Sequence, residues 1–87
     1  MSLVLKQKGD EWLVDFKETW KVSQESYRIV TDTFNQNNLI YTTQFGEDGH
    51  FYIKLECYKR FKDFEKYREF VISILYFKKE YGKIKEN

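Results

Sequence analysis

The stretch Leu3-Val4-Leu5-Lys6-Gln7-Lys8-Gly9-Asp10-Glu11-Trp12-Leu13-Val14-Asp15-Phe16 decides how the fold begins. Two runs with apolar residues at alternate positions flank Gly9-Asp10, a two-residue unit of the kind that closes β-hairpins. If Lys8 pairs Glu11, Leu5 falls opposite Val14 and Leu3 opposite Phe16, on the face that carries Trp12. Val4, Lys6, Leu13 and Asp15 take the other face. Alternation and turn chemistry select one register, because a slip of one residue would turn the whole apolar set outward. The second strand is long, and Trp20 at its end is expected near the rim of the sheet.

A helix is expected to follow. Ser23 suits the N-cap, Glu25 sits in the first turn where the helix dipole favours an acid, and Val22 can staple Tyr27. Tyr27, Val30 and Phe34 make one apolar stripe at helical spacing. Asn35-Gln36-Asn37-Asn38 ends it, since asparagine tolerates the left-handed conformation. A second hairpin comes next, with Leu39–Phe45 and Phe51–Cys57 joined by Gly46-Glu47-Asp48-Gly49-His50. A five-residue loop pairs Phe45 with Phe51, Tyr41 with Leu55 and Leu39 with Cys57. A four-residue loop would bury Gln44, so burial decides for five.

The last element is a helix from Arg60 to Tyr81, favoured over a strand at Phe70–Phe77 by its length and its flanking pattern. Phe64, Tyr67, Val71, Ile74, Leu75, Lys78 and Tyr81 line its expected core side. Lys78 and Lys79 suit the last turn, Gly82 suits C′, and Lys83–Asn87 reads as a flexible tail. The order is ββαββα, an α+β fold with a mostly antiparallel four-stranded sheet and two helices on one face. Its two ββα halves reflect either a degenerate duplication or convergent amphipathic patterning. The expected core holds Leu5, Trp12, Val14, Phe16, Val30, Phe34, Ile53, Leu55, Val71 and Leu75.

Composition bounds the rest. The 87 residues fit one domain, and 20% aromatics supply a dense core to a chain that is 33% charged. The longest apolar run, Val71–Phe77, is far short of a membrane span, and no secretory leader is signalled, so a cytoplasmic protein is expected. One cysteine, Cys57, allows no internal disulfide. The chain has no alanine and no proline, the signature of an AT-rich gene. Residues 1–50 carry five cations against eight acids and residues 51–87 ten against six. The net +1 suits neither an acidic DNA mimic nor a dedicated nucleic-acid binder.

Catalytic constellations are hardly signalled. His50 lies in a glycine-flanked loop and Cys57 on the inferred core face. No G-x-S-x-G elbow or phosphate-cradling glycine loop occurs, and Gly46–His50 lacks the alternating ligands of a calcium loop. No cofactor, metal or small-molecule substrate is implied, and the chain reads as non-catalytic. The anomaly is apolar surplus. Phe70 to Phe77 surround the last helix rather than stripe it, and a helix that is apolar all round needs cover on every side. With Val71 and Leu75 inward, Phe70 and Phe77 form an outer strip rimmed by Lys66, Glu69 and Lys78. Phe70, Phe77 and Trp20 are therefore the expected partner-binding residues, for another protein or a second copy. The expected function is that of a small protein-interaction module, an inhibitor or regulator such as phages and mobile elements encode. The alternative is a single-strand nucleic-acid module using Tyr52, Lys54, Tyr58, Lys59, Arg60 and Lys62, in which aromatics stack bases and cations hold phosphate.

Overall fold

In the first hairpin, β1 (Val4–Lys8) and β2 (Glu11–Val22) pair with Lys8 opposite Glu11 and Leu5 opposite Val14, the register that the turn demands. The structure, a computed structural model, describes residues 4–84, and the side chains of residues 7–82. Leu3 and the side chain of Leu5 lie outside the described residues, as do residues 85–87. Gly9 takes φ 62°, the left-handed conformation the tight turn requires.

Ser23 caps α1 (Gln24–Gln36) by accepting the Ser26 amide at 3.2 Å. The helix ends in a Schellman motif: Leu39 N–H donates to Phe34 O at 2.9 Å and Asn38 N–H to Asn35 O at 3.1 Å. Asn38 carries the left-handed φ of 57°, and Leu39 and Phe34 are both buried. The second hairpin joins β3 (Ile40–Phe45) to β4 (Phe51–Phe61), with Phe45 opposite Phe51 and Tyr41 opposite Leu55. The five-residue loop holds.

The sheet order is β1-β2-β4-β3. Strands β2 and β4 pair antiparallel through eleven rungs, from Trp12↔Phe61 to Val22↔Phe51. Since β4 is antiparallel to both neighbours, β3 runs parallel to β2 with β4 slotted between them. The order reads the same when the two ββα units are exchanged. Even-numbered β2 residues and odd-numbered β4 residues share the face that the helices cover, where Val14, Phe16, Trp20, Val22, Ile53, Leu55 and Cys57 meet Val30 and Phe34 of α1 and Ile74 of α2 (Phe64–Tyr81). The opposite face carries Lys17, Thr19, Lys54, Glu56 and Tyr58 and is open to water except at Leu13, which is buried there. One covered and one wet face is the usual state of an antiparallel sheet.

Four expectations change. Strand β4 runs to Phe61 and α2 starts only at Phe64, with Asp63 as N-cap accepting the Glu65 amide at 2.9 Å. Gly82 is extended (φ −109°) rather than left-handed. It is glycine because its backbone lies against the Trp20 indole, where a Cβ would collide with the ring. Lys83–Ile84, expected in the tail, form β5 beside Trp20 and Lys21. Finally, the core side of α2 is Tyr67, Phe70, Val71, Ile74, Phe77 and Tyr81, while Leu75 is exposed. Relative to expectation the helix is rotated by under one residue's ~100° step, because turning Phe70 and Phe77 inward while keeping Val71 against the core buries more apolar area than Leu75 offers.

The rotation is locked by a buried charge. Lys78 Nζ donates to Glu18 Oε2 at 3.0 Å, and the Trp20 indole N–H donates to Glu18 Oε1 at 3.1 Å. The Glu18 side chain is 2% exposed and that of Lys78 17%, so both depend on each other. Lys78→Met should cost about 3–5 kcal/mol in urea denaturation by stranding the carboxylate. The double variant Glu18→Gln/Lys78→Met should lose less than Lys78→Met alone. Two neighbouring truncations check the helix phase: Ile74→Ala should cost about 2–5 kcal/mol and Leu75→Ala under about 1.

Candidate functional site

Trp20, expected at an exposed rim, is fully buried. Strand β5 and Gly82 close over it, and its ring meets Phe34 at 5.2 Å and Phe77 at 6.3 Å between centroids. It offers a partner no surface. Phe70 and Phe77 are likewise turned inward and half-buried. Phe70 packs on Phe61 at 5.5 Å, and Phe77 on Tyr81 at 4.9 Å and Phe34 at 6.2 Å. Phe70 and Phe77 pack against the core rather than standing out as a strip, and the surface they keep faces a groove beside α2.

The apolar surplus is real but sits elsewhere on the same helix. Ile72, Leu75 and Tyr76 are 52%, 43% and 63% exposed. Ile72 and Tyr76 each lie two residues from Ile74, about 200° around the helix, and so point away from the sheet. Phe64, also exposed, meets the Trp12 ring at 5.0 Å between centroids and so turns toward the sheet, while Arg68 and Lys79 flank the strip of Ile72, Leu75 and Tyr76. An apolar groove of about 250 Å³ runs beside this strip, between α2 and the C-terminal end of α1, lined by Thr33, Leu39, Phe70, Ile74, Tyr76 and Phe77. Tyr67, Phe70, Ile74, Phe77 and Tyr81 recur at alternating steps of three and four, but so do Phe64, Tyr67, Val71, Ile74, Lys78 and Tyr81, so spacing alone fits both phases.

The basic-aromatic residues divide by strand alternation. Tyr52, Lys54, Tyr58 and Arg60 project together from the open face of β4, opposite Lys21, Thr19, Asp15 and Leu13. The Arg60 guanidinium lies over the Tyr58 ring at 5.8 Å. Lys59 does not join them. Because β4 continues to Phe61, this odd-numbered residue faces the helices, with its ammonium 5.5 Å from the Phe70 ring centroid. Lys62 lies past the strand, in the link to α2. Acids interleave: Lys17 pairs Glu56 at 3.7 Å and Lys21 pairs Asp48 at 3.4 Å.

At the hairpin tip Asp48 gathers several donors. The Tyr52 hydroxyl donates to Oδ2 at 2.5 Å and the His50 amide to Oδ1 at 3.0 Å. The Tyr52 bond, then the His50 amide, hold the Asp48 carboxyl down at about 2. The same bond pushes the Tyr52 phenol up from its ordinary value. His50 is drawn into this cluster, 3.7 Å from Asp48. Cys57 is seven residues along the strand from it, about 23 Å at ~3.3 Å per residue. Burial raises the Cys57 thiol to about 11, so it stays protonated, and the two residues form no dyad. Among the described residues no cluster of three or more His, Cys, Asp or Glu side chains is placed to hold a metal ion, and no helix is long and apolar enough to cross a membrane.

No protein-family model, curated protein or solved structure shows significant similarity to this chain.

The Asp48 cluster sets a pH window for the hairpin tip. A depressed carboxyl favours the charged form in the fold, so its contribution is complete above an ordinary aspartate's 3.8 and fades as the pH falls through about 2. A raised phenol favours the neutral form, so its contribution is complete below 10.0 and is lost as the pH rises through the raised value. An NMR titration should show the Asp48 carboxyl and the His50 amide moving together with a midpoint near 2. In Asp48→Asn that acid transition should vanish and Tyr52 should titrate earlier.

Proposed function

We propose that this chain is a non-catalytic protein-interaction module that binds a protein partner through the outward side of α2. The observation that carries the reading is the strip of Ile72, Leu75 and Tyr76, large apolar residues left in water on a helix whose other side already fills the core. Keeping them exposed costs solubility, and a groove beside them offers a partner side chain a place to insert. Aromatic and aliphatic anchors of this kind dominate binding energy at protein interfaces. Binding without chemistry suits an inhibitor or regulator acting in the cytoplasm, and the alanine- and proline-free composition fits a gene of phage or mobile-element type.

A second reading rests on the open sheet face, where Tyr52, Lys54, Tyr58 and Arg60 stand in one row. That row presents two rings and two cations to a single strand. It ranks second because Glu56, Asp48 and Asp15 lie among them and would repel phosphate.

Affinity purification from the native cell tests the first reading. The wild-type chain should hold a protein at fixed stoichiometry, and Ile72→Ser/Tyr76→Ser should lose it while melting within a few degrees of wild type. Retention of the same protein by that variant overturns the α2 surface. Single-strand binding that falls steeply with salt and is lost in Tyr58→Ala/Lys54→Glu gives the second reading precedence.

A further inference from the structure

We propose that β3 is a docking edge for a second copy of this chain, the two β3 strands pairing antiparallel about a two-fold axis through Thr43. Among the described residues the sheet order leaves β3 at the rim with no strand beyond it. Gly46 N–H donates to His50 O at 2.8 Å, which marks a bonded rung just past Phe45↔Phe51. Antiparallel rungs alternate between bonded and non-bonded pairs. The backbone groups of Ile40, Thr42 and Gln44 therefore point at β4, and those of Tyr41, Thr43 and Phe45 point out of the sheet. Such a row of donors and acceptors, otherwise left to water, is matched along its length by an extended chain.

The charge pattern says which chain. Soluble proteins guard exposed edges with lysine, proline or bulges. The opposite rim strand follows that rule, with Lys6 and Lys8 in β1. Strand β3 reads Ile40-Tyr41-Thr42-Thr43-Gln44-Phe45 and has no such guard. In a chain that is 33% charged, no charge stands between Asp32 and Glu47. Ile40 and Phe45, at its two ends, are 69% and 56% exposed.

The strand also matches itself. With Thr43 on the axis, Thr43 meets Thr43 of the copy, Tyr41 meets Phe45 and Thr42 meets Gln44. Bonded rungs then fall on Tyr41, Thr43 and Phe45, whose groups point outward. The cross-strand pairs are Thr–Thr and, twice over, aromatic–aromatic, both favourable combinations. No two like charges oppose each other, and Glu47 meets Leu39. The product is one continuous sheet twice as wide, with the outward strip of α2 uninvolved, so this inference stands apart from the α2 reading.

Analytical ultracentrifugation over a concentration series decides it. The wild-type chain should pass from monomer to dimer between about 1 µM and 1 mM, the range of small interfaces. Thr43→Lys sets two ammonium groups face to face on the axis and should remain monomeric throughout. An equimolar mixture of Thr43→Lys with Thr43→Glu should dimerise at least tenfold more tightly than either variant alone. A wild-type chain that stays monomeric throughout overturns the proposal, as does a wild-type dimer that survives Thr43→Lys or a mixture that shows no recovery. If Thr43→Lys loses its cooperative melt, Thr42→Lys/Gln44→Lys places lysine opposite lysine in the same register from two exposed positions. A dimer that persists in that variant overturns the proposal equally.

Discussion

Every layer of the molecule meets at Trp20. Its ring lies under Phe34 of α1, Phe77 of α2 and the backbone of Gly82, while its own strand pairs it with Ile53 on one side and Ile84 on the other. A buried indole must find a partner for its N–H, since an unpaired polar group in an apolar interior costs more than the hydrogen bond is worth. The partner is Glu18, two residues back on the same face of β2. A buried carboxylate needs a cation in turn, and Lys78 supplies it from α2. One N–H thus obliges an acid, the acid obliges a lysine, and the lysine fixes how α2 is turned. The outward side of that helix is a consequence of what lies beneath it.

Much of this was legible in the residues. Both hairpin registers follow from alternation plus loop length, and both ends of α1 follow from Ser23 and the asparagine run. These features are local, and local chemistry decides them. What escaped reading was non-local. The end of β4 depends on β2 being long enough to pair Trp12 with Phe61, and nothing near Tyr58 announces it. Lys59 therefore looked like a neighbour of Arg60 and is on the opposite face. The phase of α2 was ambiguous because apolar residues occupy nearly every position from Phe70 to Phe77, and a contact sixty residues away in sequence, Lys78 with Glu18, resolves it. Trp20 looked peripheral because the strand that seals it, Lys83–Ile84, resembled a solvated tail.

The two ββα units share a plan and differ in finish. The first puts its long strand and a cleanly amphipathic helix together, and α1 leaves one large aliphatic, Ile29, in water. The second adds a helix with apolar residues on all sides, and its leading strand β3 is the rim without charges. Surface features that call for explanation by a partner therefore concentrate in the second unit, while the first carries the hinge residue of the core, Trp20, and the acid that serves it. Both units build the core together through the β2–β4 pairing, and the second presents most of the exposed apolar surface.

The lone thiol gives the molecule a built-in reporter. Cys57 sits under the helices in the middle of the sheet, buried and held protonated, and an alkylating reagent needs an accessible thiolate. Modification therefore proceeds through excursions that open access to the sulfur, by lifting of the helical layer or by widening of the groove beside Asn38 and Leu39. Under conditions where reclosing outpaces alkylation, the labelling rate divided by that of an unfolded peptide gives the equilibrium constant for that excursion, by the logic of amide exchange. With a single cysteine in the chain, the breathing of this core is measurable by mass spectrometry on the unaltered protein.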